Sequence, residues 1–458
     1  MRAARLAEIG LPDLGMPSTR PEIPPARYEE RVGALRARAA ERGYDRLIVY
    51  ADREHSANLA YLTGFDPRFE EALLVLGPTG EPAILVGNEC FGMAGAAPLA
   101  MRRALLQDLS LPGQPRDRSR PLGEILADEG IGPGSRVGAV GWKTYGRRSA
   151  MDVPAYIVDE LRSLTGPAGM LENATDLLID AADGLRVIND VDQLAVFEHA
   201  ACQTSDGIRR LLAGLEPGMT EAEAVRLLGW NGMPLSCHLM LTAGPRAALG
   251  LLSPGDRPIE RGDPLTVAFG VWGALNCRAG FVVGGRDELP AASRDYVERL
   301  VAPYFEAVAQ WYEALHVGQL GGALQEVIDR RLAEPFFGVS LNPGHQLHLD
   351  EWVNSPVAPD STSALRSGMC LQVDIIPATG TAYFTTNIEA GVALADAALR
   401  EAFADRHPDA WRRIMARRRF MRDALGITLH PDVLPLSNLA AFLPPFLLRP
   451  DLAMTLAG

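Results

Sequence analysis

Cysteine is scarce and poorly placed for bridging. Cys90, Cys202, Cys237, Cys277 and Cys370 are odd in number, far apart and without any CxxC spacing. This excludes a disulfide framework and fits a reduced, cytoplasmic compartment. No apolar run reaches the roughly 20 residues that span a bilayer, so a membrane-spanning helix is excluded. Met1–Gly15 mixes Arg2 and Arg5 with Glu8 and Asp13 and lacks the continuous apolar stretch of a signal peptide. Basic charge is in deficit: 44 Lys and Arg stand against 57 Asp and Glu, a net charge of −13. That argues against nucleic acid as a partner, because phosphate neutralisation needs clustered cations. What is present is apolar mass. With 47% hydrophobic and 22% charged residues among 458, the chain can build the cores of two or three domains and is not disordered.

Prolines crowd residues 1–25, which read as an extended arm. Tyr28, Val32, Leu35 and Ala39 then recur at helical spacing and predict a helix over about 26–42, stopped by Gly43. Short apolar runs at 46–50, 71–77, 82–87 and 136–142 predict strands alternating with helices, a mixed α/β layer. Gly166, Pro167 and Gly169 mark a boundary near 165–185. Beyond it a long amphipathic helix is expected over about 190–215, with Leu194, Phe197, Ala201, Ile208, Leu211 and Leu212 on one side. Thr220 and Glu223 have the spacing of a capping box. Strand-like segments follow at 236–241, 264–270 and 274–284, then helices at 292–315 and 320–333, then strands at 369–376 and 383–394. The tail, 429–458, is apolar but broken by Pro435, Pro444, Pro445 and Pro450, which suits a segment packed on the body or on a second subunit.

Six local motifs occur in an order that carries a resemblance. They are RGYDRLIVYADREHSANLAYLTGFD (42–66), LAGLEPGMTEAEA (212–224), ERGDPLTVAFG (260–270), NPGHQLHLDEW (342–352), LRSGMCLQVDIIP (365–377) and NIEAGVAL (387–394). Together the chain resembles the creatinase, aminopeptidase P and prolidase family. The resemblance implies an α+β protein: arm 1–25, a creatinase-like N-terminal α/β domain at 26–170, a C-terminal pita-bread domain at 186–428, and the tail. Metal-dependent members of that family hold two metal ions on Asp, Asp, His, Glu and Glu, the two Asp eleven positions apart. Here those positions fall on Ala268, Ala279, His345, Asp374 and Glu389. Both Asp are replaced by Ala, which ligates nothing, so a two-metal site loses most of its charge. The family's further substrate-facing His falls on Leu251.

The residues that remain define candidates. His345 follows a Pro-Gly turn and could act as general acid and base. Asp374 and Glu389 sit inside apolar strands, where a carboxylate needs a proton, a cation or a metal. Cys277 lies two positions before Ala279 and therefore on the same strand face, as a nucleophile or a small packing residue. Arg278 then points to the opposite face. His238, Arg246, His348 and Trp352 are candidates for substrate binding: Arg246 as a clamp on a carboxylate, Trp352 as a pocket wall. Asp350 and Glu351 could orient a histidine or lie in solvent, and His55 could reach a neighbouring subunit. The first functional expectation is a creatinase-like, metal-independent hydrolase of an amide or guanidino C–N bond in a small polar substrate, with no cofactor. Alternatives are a non-catalytic relative, an Xaa-Pro aminopeptidase or dipeptidase with one divalent metal on His345, Asp374 and Glu389, and a lyase. The implied partners are a small molecule and a second copy in a homodimer, with no nucleic acid and no membrane.

Overall fold

The computed structural model describes residues 2–457. The chain divides into two compact units, Ile23–Arg186 and a larger one formed by Met1–Glu22 with Val187–Gly458. The arm and the tail are thus parts of the larger unit. Strand β1 (Ala4–Glu8) comes from the arm.

The smaller unit opens with helix α1 (Pro25–Glu41), which buries Tyr28, Val32, Leu35 and Ala39, the spacing read from the sequence. Its sheet comprises β2 (Arg46–Ala51), β3 (Ala72–Leu76), β4 (Ala83–Val86), β5 (Arg102–Leu105), β6 (Arg136–Val140) and β7 (Met170–Asn173). The order is β5-β4-β3-β2-β6-β7, with β2 antiparallel to β3 and parallel to β6. Every residue of β3 and β4 is buried, so these strands read as continuous apolar runs rather than alternating ones.

The larger unit is built on helix α2 (Val191–Gly214), whose N-terminus is capped by the Asp190 side chain accepting from the Gln193 amide. The sequence shows one apolar side, yet both sides are covered. The polar side is buried because helix α4 (Pro408–Asp423) lays Arg413 and Arg417 on it. Arg413 donates to Glu198 at 2.9 and 2.6 Å, and Arg417 donates to the same carboxylate at 2.7 Å. The Thr220–Glu223 capping box forms as expected.

Six antiparallel strands make the main sheet: β8 (Met240–Ala243), β9 (Pro264–Val271), β10 (Ala274–Phe281), β11 (His345–Gln346), β12 (Cys370–Asp374) and β13 (Asn387–Leu394). Their order is β11-β12-β13-β10-β9-β8, and β14 (Val433–Pro435) joins β13 from outside this path. One face packs on α2, where Asn276 donates to the Thr204 hydroxyl at 2.8 Å. Helix α3 (Ala302–Ala314) adds buried Tyr304, Phe305, Trp311 and Tyr312 to the same core. The apolar tail is not left for a second subunit. Leu434, Leu436, Leu439, Phe442 and Phe446 are buried within their own unit, and β15 (Leu452–Leu456) pairs with β1. Among the described residues no helix is long and apolar enough to cross a membrane.

Candidate functional site

The free face of the main sheet carries the chemistry. Antiparallel register aligns Asp374 with Glu389, Glu389 with Cys277, Cys277 with Ala268, and Ala268 with Met240. Register partners present their side chains on one face, so these five residues form a row across five strands. The row is polarised, acidic on β12 and β13 and apolar from Cys277 onward. Ala279 shares this face, two residues beyond Cys277 and opposite Asn387.

His345 completes the acidic end. It is placed by the Pro343–Gly344 turn and registers with Gln372 on β12. Gly344 has φ +124°, and a Cβ there would lie 2.9 Å from the Trp311 ring, so only glycine fits. The His345 ring is fully buried and stacks on Trp352, with centroids 4.0 Å apart and planes 15° apart. Its Nδ1 lies 3.3 Å from the Gln346 carbonyl. A carbonyl only accepts, so Nδ1 carries a proton there and Nε2 faces the acids. Nε2 is 3.2 Å from Glu351, 3.7 Å from Asp374 and 3.7 Å from Glu389. The Gln372 amide donates to the Leu275 carbonyl at 2.8 Å and to Glu389 at 3.2 Å, holding that carboxylate in place. Asp374 Oδ1 is buried with no hydrogen-bond partner among the described residues.

Burial and close charges shift His345, Asp374 and Glu389. Burial pulls the His345 pKa down, but Glu351 and Glu389 outweigh it and raise it to about 10. Burial and then Glu389 hold the Asp374 carboxyl well above the usual range, and burial raises Glu389. Burial and then Glu389 also push the Cys277 thiol well up, and that thiol donates to Glu389. A thiol so held is a weak candidate for a nucleophile, which requires the thiolate.

The other sequence candidates are placed differently. Arg246 is bound to the fully buried Glu221 and donates to the Ser253 carbonyl at 2.9 Å, so its guanidinium is already engaged. His348 is buried edge-on against Phe197, on the α2 side. His238 is exposed and outside the cluster. Arg278 points to the opposite face, as its strand position requires, and donates to the Phe442 and Leu439 carbonyls. His55, in the smaller unit, packs on Trp142 with ring centroids 4.5 Å apart. Gln372 was not singled out by the sequence reading, although it lies two residues before Asp374 and so on its face. Glu351 had only an open assignment, because a loop has no period from which to read its direction.

The donor set bears on the metal ions that the resemblance implies. Ala268 is fully buried and packs with Leu275, Cys277, Cys237, Met240 and Leu251. The place of two carboxylates and one histidine is therefore apolar, and a two-ion site does not fit. Donor atoms of His345, Glu351 and Glu389 lie within 4.8 Å of one another, which fits a single ion. The trio differs from the expected His345, Asp374 and Glu389 by Glu351, which reaches in from the loop after β11.

Beside the row lies a cavity of about 640 Å³, bordered by Cys277, Ala279, Asn387, Leu251 and the loop 376–385.

No family model matches the chain. An uncharacterized peptidase, YqhT, of Bacillus subtilis (strain 168) is 24% identical over 211 residues, which is 44% of this chain and 59% of that protein. The match thus spans less than two thirds of the relative's length. Solved structures cover more. The prolidase from Pyrococcus horikoshii OT3 superposes with a TM-score of 0.62 at 16% identity, over 80% of this chain and 95% of that one. The Xaa-Pro dipeptidase from Bacillus anthracis gives 0.61 at 15% identity, over 80% and 94%. The X-Pro aminopeptidase from Thermotoga maritima MSB8 gives 0.62 at 16% identity, over 81% and 95%. The fold is that of the pita-bread peptidases. This chain has alanine, Ala268 and Ala279, at the two positions where the resemblance places aspartate.

Proposed function

We propose that the protein hydrolyses a C–N bond in a small substrate, with one divalent cation on His345, Glu351 and Glu389 and with Asp374 beside it. The observation that carries this is the setting of His345 Nε2. With Nδ1 facing a carbonyl, Nε2 lies among three carboxylates. Oxygen and nitrogen lone pairs repel there unless a proton or a cation stands between them. The metal-free expectation needs His345 to take a proton from water, and an imidazole so surrounded keeps its own proton and makes a poor base.

His345, Glu351 and Glu389 would hold the cation. A cation so bound supplies Lewis acidity toward the scissile carbonyl and lowers the pKa of bound water. Gln372 orients Glu389, and Trp352 covers one face of the His345 ring and excludes water from it. Asp374, whose Oδ1 has no hydrogen-bond partner among the described residues, would hold a proton and return it to the leaving amine.

Calorimetric titration with Mn²⁺, Co²⁺ or Zn²⁺ tests this. One site per chain is expected, with affinity at least tenfold weaker in Glu351→Gln, as for loss of a ligand-supporting group or more. Asp374→Asn should keep cation affinity and lose turnover. Absence of cation binding in the unsubstituted protein would overturn the proposal, and no turnover on amide, guanidino and X-Pro substrates besides would favour a binding module of this fold.

A further inference from the structure

We infer that the cavity beside the row takes the uncharged, largely apolar part of the ligand and reads one polar atom of it through Asn387. This rests on the proposed function only for where the reacting bond lies. At about 640 Å³ the cavity has the size of a small-molecule site. Leu251, Ala279, Ile376, Pro377 and Phe384 supply apolar wall. Among the bordering residues that are described, the ionisable side chains are Cys277 and Arg278 alone. The Arg278 guanidinium is turned to the opposite face and donates to Leu439, Phe442 and Cys277 carbonyls. The Cys277 side chain is 2% exposed and registers with Glu389 on β13. A carboxylate entering this space would lose its water and meet no counter-ion among the bordering residues, which is costly. Arg246, the cation expected from the sequence to clamp a carboxylate, is engaged by Glu221.

Thr266, Thr379, Thr381 and Thr385 also border the cavity, and Asn387 is the bordering residue with a buried polar atom that lacks a partner among the described residues. It stands on β13 two residues before Glu389, opposite Ala279, and so on the same face as the acids. Its residue exposure is 6%, and its Oδ1 is buried without a hydrogen-bond partner among the described residues. A buried acceptor of this kind is satisfied by an N–H donor. The ligand class that meets both demands is a neutral amide carrying a hydrocarbon group. A free peptide with its terminal carboxylate in the cavity does not meet them.

The test is calorimetric binding to the full chain, with phenylbutyramide, phenylbutyrate and alanylproline as probes. The amide should bind, and the two carboxylates should bind at least tenfold more weakly. Leu251→Trp should weaken amide binding several-fold by narrowing the cavity at its wall. Asn387→Leu should weaken the amide several-fold and leave butylbenzene binding unchanged. Equal or tighter binding of either carboxylate, no binding of the amide at millimolar concentration, or amide binding indifferent to both substitutions would overturn the inference. Cation titration reads the reacting cluster separately, so loss of the amide preference with cation binding intact leaves that proposal standing, and the reverse outcome leaves this one.

Discussion

Returning aspartate to positions 268 and 279 should make folding depend on a divalent cation. Ala268 is fully buried and Ala279 is 1% exposed, and both share the face of Asp374 and Glu389. In EDTA the double variant Ala268→Asp, Ala279→Asp adds two acids to a neighbourhood that already holds three against one histidine. An uncompensated buried charge costs about 3–5 kcal/mol, part of which the variant avoids by binding protons. The melting temperature in EDTA should therefore fall well below that of the parent chain. Cation binding to the folded state returns stability as RT ln(1 + [L]/Kd), about 2.7 kcal/mol at a hundred times Kd and about 4.1 kcal/mol at a thousand times. The assay is a set of thermal melts across Mn²⁺ concentrations. The variant should gain more per decade of Mn²⁺ than the parent at low concentration, because its added carboxylates lower Kd. A melting temperature in EDTA equal to the parent's would show that neither position faces the acids. A Mn²⁺-induced shift no larger than the parent's would show that the row does not surround a cation.

Gln372→Leu should lower cation affinity about 10–100-fold with the fold intact, since Gln372 orients Glu389; calorimetry and a melting curve read the two effects apart. Cys277→Ser should retain turnover, because the thiol is held protonated against Glu389; complete loss would point to a thiolate nucleophile instead. Glu198→Gln should destabilise the fold by about 3–5 kcal/mol in denaturant titrations, because Arg417 is left buried without its counter-ion. Burial raises the Glu198 carboxyl, and Arg417 and Arg413 outweigh it, leaving the folded pKa depressed. The stability it contributes is thus present above the unfolded carboxylate pKa and lost as pH falls through the folded one. Acid should therefore narrow the gap between the parent chain and Glu198→Gln, and a gap that stays constant into acid would refute the pairing.

The parts legible in the sequence were those with a period. Helix α1 and the apolar side of α2 follow from 3.6-residue spacing, and the capping box from three-residue spacing. Asp374 and Glu389 stood out because each interrupts an apolar strand, and His345 because a Pro-Gly turn aims it. What escaped depended on partners remote in sequence. Arg413 and Arg417 cover the polar side of α2 from more than two hundred positions away. The engagement of Arg246 by Glu221 joins a 3₁₀ turn to a short helix, and neither element shows it alone. Strand β11 has two residues, too few to carry a pattern. The tail read as apolar coil because its prolines hide β15, which begins just after Pro450 and finds its mate in the arm.

That last pairing orders events during synthesis. Strand β1 registers Ala4 with Leu456, and the Ala457 amide donates to the Ala3 carbonyl at 2.8 Å. Strand β1 therefore leaves the ribosome long before its mate β15. At about 5–20 residues per second the interval for roughly 440 residues is on the order of half a minute or more. Meanwhile the segment Ile23–Arg186, translated whole between the two parts of the larger unit, can complete its own sheet. The nascent chain thus carries a finished small unit and the open edge of β1, where pairing with another chain is the hazard. The five residues Leu452–Leu456 act as the release step, and a ribosome stalled before them leaves both ends of the larger unit open.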